Sequence, residues 1–343
     1  MKKIKIGQIG VCHEHASGKI GALRKLPDVY EIVGVVDDRD TAAARFAGDN
    51  LAPYEGLTWM TEEELFATPG LQAVAVETPN LDLVPTALRC MERGLHMHMD
   101  KPAGDDMALF EKLLDGCREK GLALQLGYML RTNPPMMLCE QAVREGWLGD
   151  ILQIQVDMNH NYGGEAYPDY MGSFTGGIMF NLGCHPIDWI VSLLGRPDNV
   201  TPFPKAVPGI DSCININGLA IIEYPHTHVT VRVCSATAES TGQRRLTVCG
   251  TKGTFDLCPL EKYDGKPMAA RLTLAEGNGQ YDAGTHTVEF EGVSDRYMAQ
   301  MQELAHVING EIENPYSYDH DRLAHDVILA ASGYTRWDAG NGA

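Results

Sequence analysis

Over residues 3–126, short apolar runs alternate with segments of helical spacing, and this alternation restricts the fold more than any other feature of the chain. Lys3 to Gly10 reads as a strand, and Ala16 to Leu26 places Ile20, Leu23 and Leu26 at helical intervals. Glu31 to Val36 follows as a nearly unbroken apolar strand that ends at Asp37. Runs of this kind suit parallel strands covered on both faces. The pattern then repeats through a helix at 62–66, a strand at 71–76, a helix at 83–93, a strand from Leu95, a helix at 105–120 and a strand at 122–126. Strands separated in this way by helices build a doubly wound parallel sheet with right-handed crossovers.

The grammar changes after Gly127. A helix at 135–144 leads to a long alternating strand, Ile151 to Met158, and then to a polar, aromatic loop. From His228 onward strands dominate, at 228–234, 245–249, 254–257, 271–274 and 285–290, with Gly250-Thr251-Lys252-Gly253 as a turn between antiparallel neighbours. Helices at 295–309 and 319–336 close the chain. A length of 343 residues also exceeds one ordinary core. The reading is two domains, 1–127 and 128–343.

The balance of 28 basic against 46 acidic residues, a net charge of −18, would repel phosphate backbones and anionic lipids. Nucleic acid and membrane are therefore not expected as partners. Met1 to Gly7 is basic, but Gly7 and Gln8 interrupt the apolar stretch, no signal-peptide core forms, and the cytoplasm is the expected compartment. Nine cysteines without a Cys-x-x-Cys pair argue against a disulfide framework and a zinc knuckle, and are expected to be buried thiols.

Three stretches carry chemistry. Gly94 to Pro102 alternates as a strand and stops at a proline, which cannot donate to a ladder; it therefore delivers Lys101 to the carboxyl edge of the sheet, where α/β proteins bind ligands. In the first turn, Gly10 can turn tightly, whereas Cys12 stands where a dinucleotide fingerprint has its second glycine and His15 or Ala16 replaces the third. Asp37, with Asp38 beside it, ends the second strand, where a carboxylate accepts ribose hydroxyls and repels a 2′-phosphate, so NAD is favoured over NADP. Beyond Gly176-Gly177, residues Asn181, His185 and Asp188 fall at offsets of four and three on one helical face. Residue by residue, a surface Lys-Pro turn, an acid closing a strand, or a buried histidine with an asparagine partner would account for the same features. The loop bearing His160, Tyr162, Tyr167, Asp169 and Tyr170 suits a sugar ring, or equally an exposed loop.

Taken with Thr78-Pro79-Asn80 at a strand end and Gly250 to Thr254, these motifs give a chain that resembles the Gfo/Idh/MocA family, with its glucose-fructose oxidoreductase and inositol dehydrogenases, over nearly its whole length. The resemblance implies a Rossmann domain joined to an α/β domain with a large, mainly antiparallel mixed sheet. It implies a cofactor site of Gly10, Cys12, His13, His15, Asp37, Asp38, Thr78, Pro79, Asn80, Asp100 and Lys101. Lys101, His185 and Asn181 would be the catalytic set, and His160, Tyr162, Tyr128 and Arg131 would meet the substrate. The pairs His13/His15, His96/His98 and His226/His228 invite a metal, but the strand of His96 and His98 does not ligate one in the family, and none is assigned. A homodimer or homotetramer is implied.

Four departures stand out: Asp100 replaces the usual glutamate, Leu83 a frequent histidine, Asn181 the usual aspartate, and the glycine fingerprint is degraded. Because an amide does not exchange a proton at neutral pH, acid and base work falls to Lys101 and His185. The expected activity is NAD-dependent oxidation or reduction of a cyclic sugar, polyol or glycoside. The alternatives are cleavage of a glycoside through its transient oxidation, and an NAD-sensing regulator without activity. The retained Lys101 and His185 speak for an enzyme.

Overall fold

The computed structural model describes residues 2–42, 44–161, 166–239 and 241–338. Contacts group the chain into two compact units, Met1–Tyr128 with Tyr297–Arg322, and Met129–Arg296 with Leu323–Ala343.

In the first unit, the elements run β1 (Ile4–Ile9), α1 (Ala16–Arg24), β2 (Tyr30–Val36), β3 (Trp59–Met60), α2 (Glu62–Phe66), β4 (Ala73–Val76), α3 (Leu83–Glu92), β5 (His96–Met99), α4 (Met107–Lys120) and β6 (Leu124–Leu126). The sheet order is β3-β2-β1-β4-β5-β6, parallel throughout. The four residues of β4 are all buried, as a strand covered on both faces must be. Local signals set the helix ends: Thr61 and Glu64 close a capping box on α2, Asp106 caps α4, and Gly121 ends α4 in the left-handed region.

The second unit holds α5 (Pro134–Arg144), β7 (Ile151–Asp157), α6 (Ala166–Met171), α7 (Cys184–Leu194), β8 (Asn199–Pro204), β9 (Asn217–Glu223), β10 (His228–Cys234), β11 (Arg245–Gly250), β12 (Gly253–Leu257), β13 (Met268–Leu274) and β14 (Gly284–Phe290). Its sheet runs β14-β13-β12-β11-β7-β10-β9-β8, with β7 and β10 parallel and the other neighbours antiparallel. Alternate residues Ile154, Val156, Val229, Val231, Leu246 and Val248 are buried on one face, while Gln153, Gln155, His228 and Arg245 are exposed. Three strands escape the sequence reading, β3 in the first sheet and β8 and β9 in this one. Pro202 and Pro204 break the strand signal of β8, and they are tolerated because β8 lies at the sheet's edge.

Helix α8 (Met298–Ile308) groups with the first unit, where Tyr297, Met301 and Ala305 join Ile4, Ile6, Ile20, Leu23 and Val35 in one core. A Cβ on Gly18 would lie 2.4 Å from the Tyr297 ring, so α1 needs a glycine at that contact. The last helix is α9 (Tyr318–Ala331). All nine cysteines are free thiols; Cys213 and Cys258 are exposed, against the expectation of burial, and Cys234 and Cys249 are partly so. Among the described residues, no helix is long and apolar enough to cross a membrane.

Candidate active site

Strands β1 and β4 are neighbours while their crossovers leave in opposite directions along the sheet, so the turns after them bound the crevice where α/β sheets take ligands. Gly10 sits there with φ +95°, and a Cβ on it would lie 2.6 Å from the backbone of Glu77 and Thr78. The turn is stapled across the crevice, with His13 N donating to Glu77 O at 3.1 Å and Gly10 N to Val36 O at 3.0 Å.

The two acids after β2 divide their tasks. Asp38 is buried, and its Oδ1 accepts the backbone amides of Val11 at 2.7 Å and Cys12 at 3.1 Å. Its Oδ2 is buried with no hydrogen-bond partner among the described residues. Asp37 instead faces outward and grips the Arg39 guanidinium, Oδ2 to Nη2 at 2.6 Å, which draws its carboxyl below the ordinary range. Of the two acids named from the sequence, Asp38 thus turns inward onto the first turn and Asp37 outward onto Arg39. Cys12 buries its thiol, and burial together with Asp38 pushes that thiol up to about 12, so Cys12 serves the turn through its amide and is a poor nucleophile.

Beyond β5, Asp100 is the hub of a buried polar cluster. Its carboxylate accepts the Lys101 amide at 2.7 Å, stands 3.1 Å from His15 Nδ1 and 3.7 Å from His13 Nδ1, and is 3.6 Å from Lys19 Nζ. Lys19 reaches in from α1, is fully buried, and lies 2.5 Å from His98 Nε2 and 4.6 Å from the Tyr297 ring centre. His98 Nδ1 is 2.9 Å from Gln125 Oε1, whose amide donates to Glu303 at 2.9 Å. Burial alone would raise the Asp100 carboxyl, but Lys19, His13 and His15 outweigh it and hold Asp100 well below the usual range. Glu77, equally buried, is pushed well above its usual range by burial and then by Asp100.

Donor atoms of His13, His15 and Asp100 lie within 4.8 Å of one another, as do those of Glu77, His98 and Asp100. In the second group the Lys19 ammonium already stands among the donors. In the first, His13 Nδ1 accepts the His15 amide at 3.2 Å, and His13 Nε2 meets Asn80 Oδ1 at 3.0 Å.

Lys101 follows directly, with only 1% of its side chain exposed and its Nζ 3.8 Å from Glu14 Oε1. The same Glu14 oxygen lies 3.6 Å from His15 Nε2. Sequence reasoning passed over Glu14; its position between two histidines in the first turn was the available signal. Thr78 and Asn80, after β4, are buried as well, and Thr78 Oγ1 has no partner among the described residues. Pro79 leads into the short turn of helix that contains Asn80, and Tyr128, after β6, is fully buried.

In the second unit, residues 179–183 form a π turn that leads into α7, and Asn181, His185 and Asp188 are all buried. Asn181 Nδ2 donates to the Tyr167 hydroxyl at 3.2 Å. Arg131, expected at the substrate, uses Nε and Nη2 on the two oxygens of Asp188 at 2.9 and 2.6 Å, a buried bidentate pair. His160 lines a cavity of about 470 Å³ together with Arg244, Glu261, Lys262, Tyr263 and Arg296. Arg244 and Glu261 form a buried ion pair, and Glu261 Oε2 has no hydrogen-bond partner among the described residues. Tyr162 lies outside the described residues.

Comparison with known proteins supplies the family context. Residues 4–128 match the model of an oxidoreductase family with an NAD-binding Rossmann fold, and residues 136–256 match the GFO/IDH/MocA C-terminal domain. The chain is 27% identical over 205 residues to scyllo-inositol 2-dehydrogenase (NADP(+)) of Bacillus subtilis, covering 58% of this chain and 55% of that one. It is 22% identical over 304 residues to D-xylose 1-dehydrogenase [NADP(+)] of Haloarcula marismortui, covering 84% and 79%. In fold it is similar to an Agrobacterium radiobacter oxidoreductase solved with NAD+, L-tartaric acid and magnesium, with a TM-score of 0.79, 15% identity and 99% of each chain covered.

Proposed function

Because the chain belongs to the Gfo/Idh/MocA family of oxidoreductases, we propose that it oxidises or reduces a ring carbon of a cyclic sugar, polyol or glycoside, with NAD as cofactor and Lys101 as the acid and base. The observation that carries this reading is the burial of the Lys101 amine at the carboxyl end of β5, on the crevice side of the sheet. An amine held there can exchange a proton with a hydroxyl while sharing little of it with solvent.

The residues present fit a dinucleotide. Gly10 lets the chain turn where no side chain could stand, and Asp38 Oδ2 is a buried acceptor in want of a donor, which a ribose hydroxyl provides. The same carboxylate would oppose a 2′-phosphate, which supports NAD over NADP. Thr78 and Asn80 would flank the cofactor from the β4 side, while the Val11 and Cys12 amides are committed to Asp38 and hold the first turn in place. When bound, the nicotinamide ring supplies the acceptor and donor of hydride. Lys101 takes the hydroxyl proton on oxidation and returns it on reduction, while His185 and Asn181 hold neighbouring hydroxyls. His160, Tyr263 and Glu261 line a cavity whose mixture of ring and hydrogen-bonding groups suits a polyhydroxylated ligand. A homodimer or homotetramer, built on the exposed face of the eight-stranded sheet, belongs to the same proposal.

The test is a panel of inositols, aldoses and glycosides incubated with the enzyme and NAD, with NADH absorbance and product NMR recorded together. The proposal expects NADH to accumulate with a keto or lactone product. Products cleaved without net NADH would assign transient oxidation instead, and an unchanged panel with full NAD binding would leave the regulator.

A further inference from the structure

We infer that Glu14 is the proton outlet of Lys101, passing the proton that the lysine takes from substrate to an Asp100-supported His15. The inference rests on the assignment of Lys101 as acid and base. Three distances carry it: Lys101 Nζ to Glu14 Oε1 at 3.8 Å, the same oxygen to His15 Nε2 at 3.6 Å, and His15 Nδ1 to Asp100 Oδ1 at 3.1 Å. All four side chains are at least nine-tenths buried, and all lie in the first unit. A carboxylate so enclosed is not an ordinary solvated partner for a lysine.

The direction follows from the His15 tautomer in which Nδ1 carries the proton. An ionised Asp100 accepts the Nδ1 proton of His15, which leaves the Nε2 lone pair facing Glu14. On oxidation the substrate O–H bond breaks and an N–H bond forms at Lys101, as the hydride passes to the cofactor. That N–H bond then breaks toward Glu14 Oε1, and the proton moves on to His15 Nε2, where the imidazolium is held by Asp100 and loses its proton to water. The present separations are ion-pair distances, and catalytic contacts of this kind tighten when substrate closes the site. Glu14 thus acts through Lys101, as a positioning and proton-accepting residue. Among the described residues, Lys19 Nζ and His13 Nδ1 also stand beside Asp100, at 3.6 and 3.7 Å, and the Tyr297 ring lies 5.8 Å from that of His15.

The experiment compares wild type with Glu14→Gln and Glu14→Asp. Steady-state oxidation by Glu14→Gln is expected to fall about tenfold to hundredfold, with partial recovery on adding formate or acetate and in the aspartate variant. Rapid-mixing of the first turnover is expected to lose less than steady state does. Acylation of Lys101, followed by peptide mass spectrometry without substrate, is expected to change rate in Glu14→Gln, because the carboxylate 3.8 Å from the amine is lost. Wild-type turnover and acylation in Glu14→Gln would overturn the inference; so would equal losses in both kinetic regimes with no rescue. If wild-type enzyme transfers no hydride from any sugar, the oxidoreductase reading fails by itself, and the acylation comparison still decides whether Glu14 and Lys101 are coupled.

Discussion

Lys19 Nζ stands 2.5 Å from His98 Nε2 in the interior of the first unit, and both side chains are fully buried. The lysine serves as an internal counter-cation for Asp100, which lets an anion persist beneath Lys101. Sequence reading did not single out Lys19, and this relationship exists only in the fold.

Stability should record it. Burial and then the Lys19 charge press the His98 imidazole down to about 3, against an ordinary 6.5. Between those values the unfolded chain binds a proton that the folded chain refuses, so stability falls as pH is lowered through this window, at up to about 1.4 kcal/mol per pH unit. His98→Gln is expected to remove that slope, as read from urea unfolding at a series of pH values. A slope identical to wild type would mean that the imidazole is not held neutral.

Glu77 works with the opposite sign. Its raised folded value means that the folded state keeps a proton which the unfolded chain releases above the ordinary glutamate range, so this acid costs stability as pH rises above that range. Glu77→Gln is expected to gain on wild type as pH increases. A variant that instead loses ground with rising pH would show Glu77 to be ionised.

Cofactor preference is expected to follow Asp38 rather than Asp37. Asp38→Asn keeps the shape but loses the negative charge that would oppose a 2′-phosphate, so NADP affinity should rise relative to NAD by about tenfold or more. Asp37→Ser, which frees Arg39, should change the ratio less. Calorimetric titration decides; wild type binding NADP more tightly than NAD would contradict the assignment to both acids.

Gly10→Ala is expected to cost about 3 kcal/mol or more in unfolding free energy, since φ +95° is strained for alanine and its Cβ would press on the Glu77 backbone. A change below 1 kcal/mol, about the size of an ordinary surface substitution, would show that the turn can relax.

Much of the fold was legible because it rests on periodicity: the parallel order of the first sheet follows from apolar runs separated by helices, and β7 and β10 to β14 from alternation. The strand β8 was not, because its prolines speak against a strand until its edge position is known. At the site, Lys101 was legible through the proline that follows it, and Asp38 only as a companion to Asp37. What separates these two acids is where their carboxylates turn: Asp37 onto Arg39, two residues on, and Asp38 onto the Val11 and Cys12 amides, a contact 27 and 26 residues away that the sequence does not display. Arg131 shows the same limit, since its partner Asp188 lies 57 residues away.

The central claim is that the Lys101 amine moves the substrate proton, and Lys101→Met tests it by keeping the length of the side chain and removing its proton chemistry. On a substrate confirmed for wild type, single-turnover hydride transfer is expected to slow by about two to four decades while NAD affinity changes by less than about threefold. A Lys101→Met variant that transfers hydride at close to the wild-type rate would take the lysine out of the mechanism and leave His185 as the group to examine.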